Sequence, residues 1–191
     1  YANFFLGKVD VFGKKIRFID VDAVTLNPYM GYDSLKPFLK EVHDGGKGIF
    51  VLVKTSNLSS GDLQDRGVEG DSKVFEMVAQ LTEAWGADDI GESGYSSVGA
   101  VVGATYPKEA RRLRELMPQQ IFLVPGYGAQ GAGAKEVKFC FKKDGTGAII
   151  NSSRGIIFAY EESDDPADGS HFAQAARDAV LAMKKDLESI I

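Results

Sequence analysis

The 191-residue chain is 44% hydrophobic and 26% charged, enough apolar material to bury one substantial core, and 1–191 reads as a single domain. A formal charge of −5 and a pI near 5.1 exclude the strongly basic face of a phosphate-backbone binder, so nucleic acid is not an expected partner. No apolar run approaches the roughly 20 residues that span a bilayer, and the opening YANFFLGKVD lacks the basic-then-apolar order of a signal peptide, so a cytoplasmic protein without a membrane partner is expected.

Short runs rich in Val, Ile and Phe alternate with longer amphipathic stretches, the pattern of βα units around a parallel sheet. The spacing predicts a strand over 22–27, a helix near 33–43 capped from Asp33-Ser34, a strand over 49–54 and a helix near 72–86. A strand over 98–103 follows, then a helix near 107–117 with Pro107 in its first turn, where a missing N–H costs nothing. A strand over 121–124, a helix near 134–143, a strand over 147–152 and a final helix near 170–188 complete the series. The strands are nearly continuous in apolar residues, which predicts cover on both faces. About five βα units result, without a linker to mark a second domain. A closed parallel barrel needs eight such units, whereas an open doubly wound sheet needs no more than five, so the pattern alone leaves both architectures open.

In either architecture a ligand lies at the carboxyl ends of the strands. Those ends run into Asn27–Gly31, Lys54–Asn57, Gly103–Pro107, Pro125–Gly131 and Asn151–Gly155. In the last two, glycines free backbone N–H groups to approach an anion, and Arg154 adds a permanent planar charge suited to phosphate oxygens. Barrel enzymes often hold phosphate at these last loops, so a phosphorylated small molecule is expected. The plainer alternative is a surface arginine beside turn glycines. Gly126-Tyr-Gly128-Ala-Gln-Gly131 also fits the G-x-G-x-x-G dinucleotide fingerprint. Pro125 ends that strand abruptly, Gly131-Ala-Gly133-Ala continues as loop, and no Asp or Glu ends a following strand to bind ribose, so a nicotinamide or flavin is not expected.

Other reactive residue types have bland readings. Cys140, the single cysteine, has no thiol or histidine neighbour in KEVKFCFKK and reads as a buried structural thiol. His43 and His171 sit near helix boundaries without a paired carboxylate or metal-ligand spacing, so capping or solvent exposure is expected. Trp85 reads as core.

Read together, YANFFLG at 1–7, DAVTLNPYMGYDSLKPF at 22–38, VLVKTSN at 51–57, VVGATYP at 101–107, LVPGYGAQG at 123–131 and NSSRGI at 151–156 resemble the orotidine 5'-phosphate decarboxylase family, in its longer bacterial and protozoan branch. The resemblance spans almost the whole chain with the motifs in the family's order. It implies a (β/α)8 TIM barrel of which this chain supplies about the last five βα units, the N-terminal units being absent. It implies decarboxylation of orotidine 5'-monophosphate to uridine 5'-monophosphate in de novo pyrimidine synthesis, with neither metal nor organic cofactor. By the same resemblance Ser56 hydrogen-bonds the pyrimidine, Gln130 bridges that serine and the phosphate, and Arg154 binds the phosphate with the Gly155 backbone close by. Pro125, Gly126 and Gly128 belong to the loop that closes over the substrate. The family's proton-transfer lysine and carboxylates come from an Asp-x-Lys-x-x-Asp motif that is not found in this sequence, and the family's order places it just before YANFFLG. One aspartate of that motif reaches a neighbouring subunit's site, which implies a homodimer. Lys54 is the present residue best placed to substitute for the lysine, although a structural role is the stronger expectation; Asp20 and Asp22 fall at a strand's start, on the stability face. Leu58 stands where the family often has proline. Two alternatives stay open: another phosphate-binding barrel lyase or isomerase acting on a sugar phosphate, and a fragment inactive without its N-terminal segment.

Overall fold

The Val- and Ile-rich runs fold into a five-stranded parallel sheet in a computed structural model that describes residues 1–128, 130–162 and 169–190. Its strands are β3 (Ala23–Leu26), β4 (Gly48–Lys54), β5 (Ser96–Val102), β6 (Gln120–Pro125) and β7 (Ala148–Asn151). A one-turn helix α1 (Ala2–Phe5) and a hairpin of β1 (Val9–Val11) with β2 (Lys14–Ile16) precede them. The hairpin is an addition to the expected elements. Its turn is Phe12-Gly13, both at positive φ (53° and 80°), and the Gly13 N–H is held by Asp10 Oδ1 at 2.9 Å.

Between the parallel strands run α2 (Tyr32–Gly45), α3 (Val74–Trp85) and α4 (Pro107–Leu116), with Pro107 in the first turn as expected. The helix expected over 134–143 is much shorter. α5 (Ala134–Val137) passes into a 3-10 turn over Lys138–Cys140, and Phe141 is already extended (φ −83°, ψ 156°). After β7 come α6 (Ser153–Ile157) and α7 (Phe172–Glu188). The cap expected from Asp33-Ser34 is also corrected. Gly31, at φ 87°, is the residue before α2, and the Ser34 hydroxyl donates back to the Gly31 carbonyl at 2.7 Å.

Strand order decides between the two open architectures. The five strands neighbour one another in chain order without reversal, each pair parallel. A doubly wound sheet reverses at a switch point and carries helices on both faces. Here the helices share one face. Val42 of α2 packs with Ile49, Val51 and Val98, while Phe75 and Ala79 of α3 and Leu113 of α4 pack with Val102, Phe122 and Val124. The opposite face, with Phe50, Leu52 and Leu123, is only half-buried, and Ile149 is 49% exposed. The expected cover on both faces is therefore corrected: this is a curved wall of TIM-barrel type, with β3 and β7 at its edges.

The amino ends of β6 and β7 are gathered by one cation. Arg114, on α4, donates to the carbonyls of Met117 (2.9 Å), Gln120 (2.8 Å), Cys140 (2.7 Å) and Gly147 (2.8 Å), and its guanidinium lies 3.5 Å from the Phe122 ring centroid. Burial pushes its pKa down to about 10, so it stays charged at neutral pH. The fork-shaped donor set is what makes four carbonyls reachable at once. Arg114→Lys should therefore lower stability by about 2–4 kcal/mol in urea denaturation, because hydrogen bonds to a charged group contribute roughly 1.5–3 kcal/mol and a lysine can keep few of them. A loss within measurement error would show that the clamp contributes nothing.

Candidate functional site

At the carboxyl ends of the strands, glycines let separate loops touch through their backbones. A Cβ at Gly103, after β5, would lie 2.7 Å from the Ser56 nitrogen and 2.8 Å from its Cα, so only glycine lets the two loops meet. Gly126, after β6, has φ 104°, and a Cβ there would lie 2.8 Å from Gln130 Oε1 and 3.0 Å from Ser56 Cβ. Three expected site residues, Ser56, Gly126 and Gln130, thus meet at one point. A second meeting point joins the last two loops. The Ser152 hydroxyl donates to the Tyr127 carbonyl at 3.0 Å, and Cβ atoms at Gly128 and Gly155 would lie 3.2 and 2.7 Å from the same Oγ. Ser152 was part of the NSSRGI motif but had no expected role; its position between Gly128 and Gly155 is visible only in three dimensions.

Two cavities open here, and Gln130 lines both. One, of about 120 Å³, is lined by Pro125, Gly126, Gln130, Asn151, Ser152 and Arg154. The other, of about 510 Å³, is lined by Ser56, Asn57, Leu58, Thr105, Tyr106 and Gln130. Arg154 is exposed and has no ion-pair partner among the described residues, so its charge is available to an anion, and no carboxylate lines its cavity. Asn151 Oδ1 is buried in the same region with no donor among the described residues, an acceptor that calls for a partner. A larger space of about 700 Å³ lies between the 27–32 loop and α3. Its walls are mostly apolar, including Leu63, Met77, Leu81 and Trp85, and it has no charged lining residue, so it suits a phosphorylated ligand less well than the smaller pair.

The G-x-G-x-x-G segment forms a closed turn rather than the start of a long helix. Gly131 N–H donates to the Gly128 carbonyl (2.7 Å) and Gly128 N–H to the Ala132 carbonyl (2.8 Å), and α5 beyond it has four residues. Leu58 is fully exposed at the rim, and the residue before it, Asn57, has φ −72° and ψ 146°, the extended shape that a proline at 58 would also impose. The loop geometry is thus kept without the proline.

A family model described as orotidine 5'-phosphate decarboxylase / HUMPS family matches residues 15–165. The chain belongs to this family. It is 52% identical over 161 residues to the orotidine 5'-phosphate decarboxylase of Caldicellulosiruptor bescii, covering 84% of this chain and 52% of that one. To the enzyme of the same name from Rhodopirellula baltica it is 46% identical over 169 residues, 87% of this chain and 56% of the relative. Among solved structures, Leishmania donovani OMP decarboxylase matches with a TM-score of 0.67 at 34% identity, over 88% of this chain and 58% of that one. The chain spans about half the length of the curated relatives it matches.

Membership of this family makes the lysines worth placing. Lys54 does not reach the cavities. A bulge shifts the β4–β5 register between Leu52 and Lys54, so Val53 and Lys54 both turn toward the helix layer. There the Lys54 ammonium donates to Asp65 Oδ1 at 2.9 Å and Ser60 Oγ at 3.3 Å, and stands 4.3 Å from the Tyr106 ring centroid. The Ser60 hydroxyl donates to the Tyr106 hydroxyl (3.2 Å), which donates to the Asn57 carbonyl (3.4 Å), so this buried cation braces the loop that follows Ser56. Asp20 and Asp22 lie at the opposite end of the sheet, where Asp20 pairs with Arg17 and, at 2.9 Å, with Lys47. His43 is corrected in one respect: it has a carboxylate partner, with Nδ1 3.1 Å from Asp89 Oδ1, on the surface and away from both cavities. His171 stands just before α7. Cys140 is buried, and burial pushes its thiol up to about 12, which makes it unreactive at neutral pH. Trp85 packs against the core beneath α2. Among the described residues no group of three or more His, Cys, Asp or Glu could hold a metal ion.

The Lys54–Asp65 pair is lopsided, with side-chain exposures of 0% and 34%. Asp65→Ala should cost about 3–5 kcal/mol in denaturant unfolding, since it strands a buried ammonium, whereas Lys54→Met should stay within about 1 kcal/mol of the parent because Asp65 can be rehydrated. Equal losses for the two substitutions would contradict the asymmetry.

Proposed function

We propose that this chain is the substrate-binding part of an orotidine 5'-phosphate decarboxylase, serving the conversion of orotidine 5'-monophosphate to uridine 5'-monophosphate in pyrimidine synthesis. The observation that carries the reading is that Gln130 lines both cavities, one holding Ser56 and the other Arg154. A nucleotide monophosphate has the matching shape: a polar base at one end, an anion at the other and a ribose between them. Ser56 would hydrogen-bond the pyrimidine, Arg154 and the Gly155 backbone would take the phosphate, and Gln130 would span the two. Pro125, Gly126 and Gly128 would shape the loop over the ligand. Binding energy from the phosphate could then organise the reacting end, where a transition-state interaction is more valuable than ground-state affinity.

In this reading the residues of the chain bind, orient and exclude water. The proton-transfer lysine and its aspartates belong to an Asp-x-Lys-x-x-Asp segment outside this sequence, since Lys54 is committed to Asp65 and faces the helices. The complete enzyme is proposed to be a cytoplasmic homodimer without a cofactor, over 1–191 as one part of a single barrel domain. A sugar-phosphate lyase or isomerase would use Arg154 and the glycines equally well, but would have no pyrimidine for Ser56 and Gln130.

Calorimetry with 6-hydroxyuridine 5'-monophosphate, a mimic of the carbanion left after decarboxylation, tests the site. Binding is expected, and Arg154→Ala should weaken it about 10- to 100-fold, the value of a charge-assisted phosphate contact. Displacement by ribulose 5-phosphate but not by uridine 5'-monophosphate, or an Arg154→Ala variant that binds as well as the parent, would refute the assignment.

A further inference from the structure

One carboxylate fastens both stems of the loop that carries Gly128 and Gln130. Asp186, in the last turns of α7, accepts a hydrogen bond from the Tyr127 hydroxyl at 2.6 Å and from the Ala134 backbone N–H at 3.2 Å, both on Oδ2. Tyr127 and Ala134 bracket the turn closed by the Gly128–Ala132 and Gly131–Gly128 backbone bonds. The Tyr127 carbonyl is at the same time the acceptor for Ser152, two residues before Arg154. Leu187, next to Asp186, packs against the main core and fixes α7 in place. Burial, reinforced by the Asp186 carboxylate, pushes the Tyr127 phenol up to about 12, so it remains a donor across the physiological range. Asp186 lies beyond residues 15–165, the span that the family model matches.

We propose that Asp186 is a positioning residue that latches the Gly126–Gln130 loop to the C-terminal helix and so holds Gln130 where it faces both cavities. The inference rests on the nucleotide reading of those cavities. Its physical basis is that, beyond the two backbone bonds that close the turn and the core packing of Tyr127 and Ala132, few side chains define the loop. Gly126, Gly128 and Gly131 all adopt positive φ and carry no side chain to pack, so the shape of the loop is set mainly by what holds its ends. Because Asp186 is itself exposed, its replacement removes no core-packing side chain, and its direct effect falls on the two bonds of the latch.

The test is nuclear magnetic resonance on the parent protein and on Asp186→Ala, Asp186→Asn and Tyr127→Phe, reading amide exchange at Gly128–Ala132 without ligand and titrating uridine 5'-monophosphate and uridine separately. Asp186→Ala should speed loop exchange and weaken the monophosphate about tenfold, more than it weakens uridine, as expected for losing a charge-assisted hydrogen-bond pair, while the protein keeps its fold. Asp186→Asn, which keeps an acceptor oxygen, should fall between, and Tyr127→Phe should reproduce part of the Asp186→Ala effect. Parent-like exchange in Asp186→Ala, or equal weakening of monophosphate and uridine, overturns the latch. A parent protein that binds neither ligand overturns the nucleotide reading and the role given to Asp186 in it, whereas parent binding with unaffected Asp186 variants overturns the latch alone.

Discussion

A half-buried guanidinium among carbonyl groups fixes where β6 and β7 begin, and the far ends of these strands carry the cavity lined by Arg154. Arg114 touches Gln120, at the start of β6, and Gly147, immediately before β7. The strands it registers are six and four residues long, so at roughly 3.3 Å per residue they are short, stiff struts. A shift at the clamp would arrive almost undiminished at Pro125–Gly126 and at Ser152–Arg154. Main-chain carbonyls rather than a carboxylate serve as partners, so the cation orders three segments of chain without neutralising a second buried charge.

Cations have divided fates in this acidic protein. Arg114 and Lys54 are drawn inward, one to carbonyls and the other to Asp65, and each braces chain that leads to a strand end. Arg154 stays outside with no ion-pair partner among the described residues, and it lines the smaller cavity at the strand ends. At the same strand ends Gly103, Gly126 and Gly155 do the opposite of the clamps: by lacking side chains they let Ser56, Gln130 and Ser152 approach within contact distance. The candidate site is therefore made as much from removed Cβ atoms as from functional groups.

Much of this was legible in the sequence, for reasons that can be stated residue by residue. Runs such as IFVLVK and VGAVVG mark strands because apolar continuity and β-branching both favour them, and the motifs after them mark the site because Ser56, Gln130 and Arg154 each end a strand or follow one closely. What stayed hidden depended on geometry that no local pattern encodes. The bulge at Val53 turns Lys54 away from the ligand side, although strict alternation from Leu52 would direct it inward. The β1–β2 hairpin has three-residue strands, β2 exposed throughout, and so shows no alternation to read. Gly31 displaced the expected Asp33-Ser34 cap, and the pairs His43–Asp89 and Tyr127–Asp186 join residues 46 and 59 positions apart. Continuous apolar strands suggested cover on both faces because a barrel interior and a helix-covered face make the same demand for hydrophobic side chains.

The sequential strand order gives the sheet the character of a one-dimensional array. Each βα unit is bonded to the unit before it and the unit after it, and long-range pairings across the sheet are absent among the described strands. The edges of β3 and β7 are the places where further parallel strands would register, each continuing the in-order array by one neighbour.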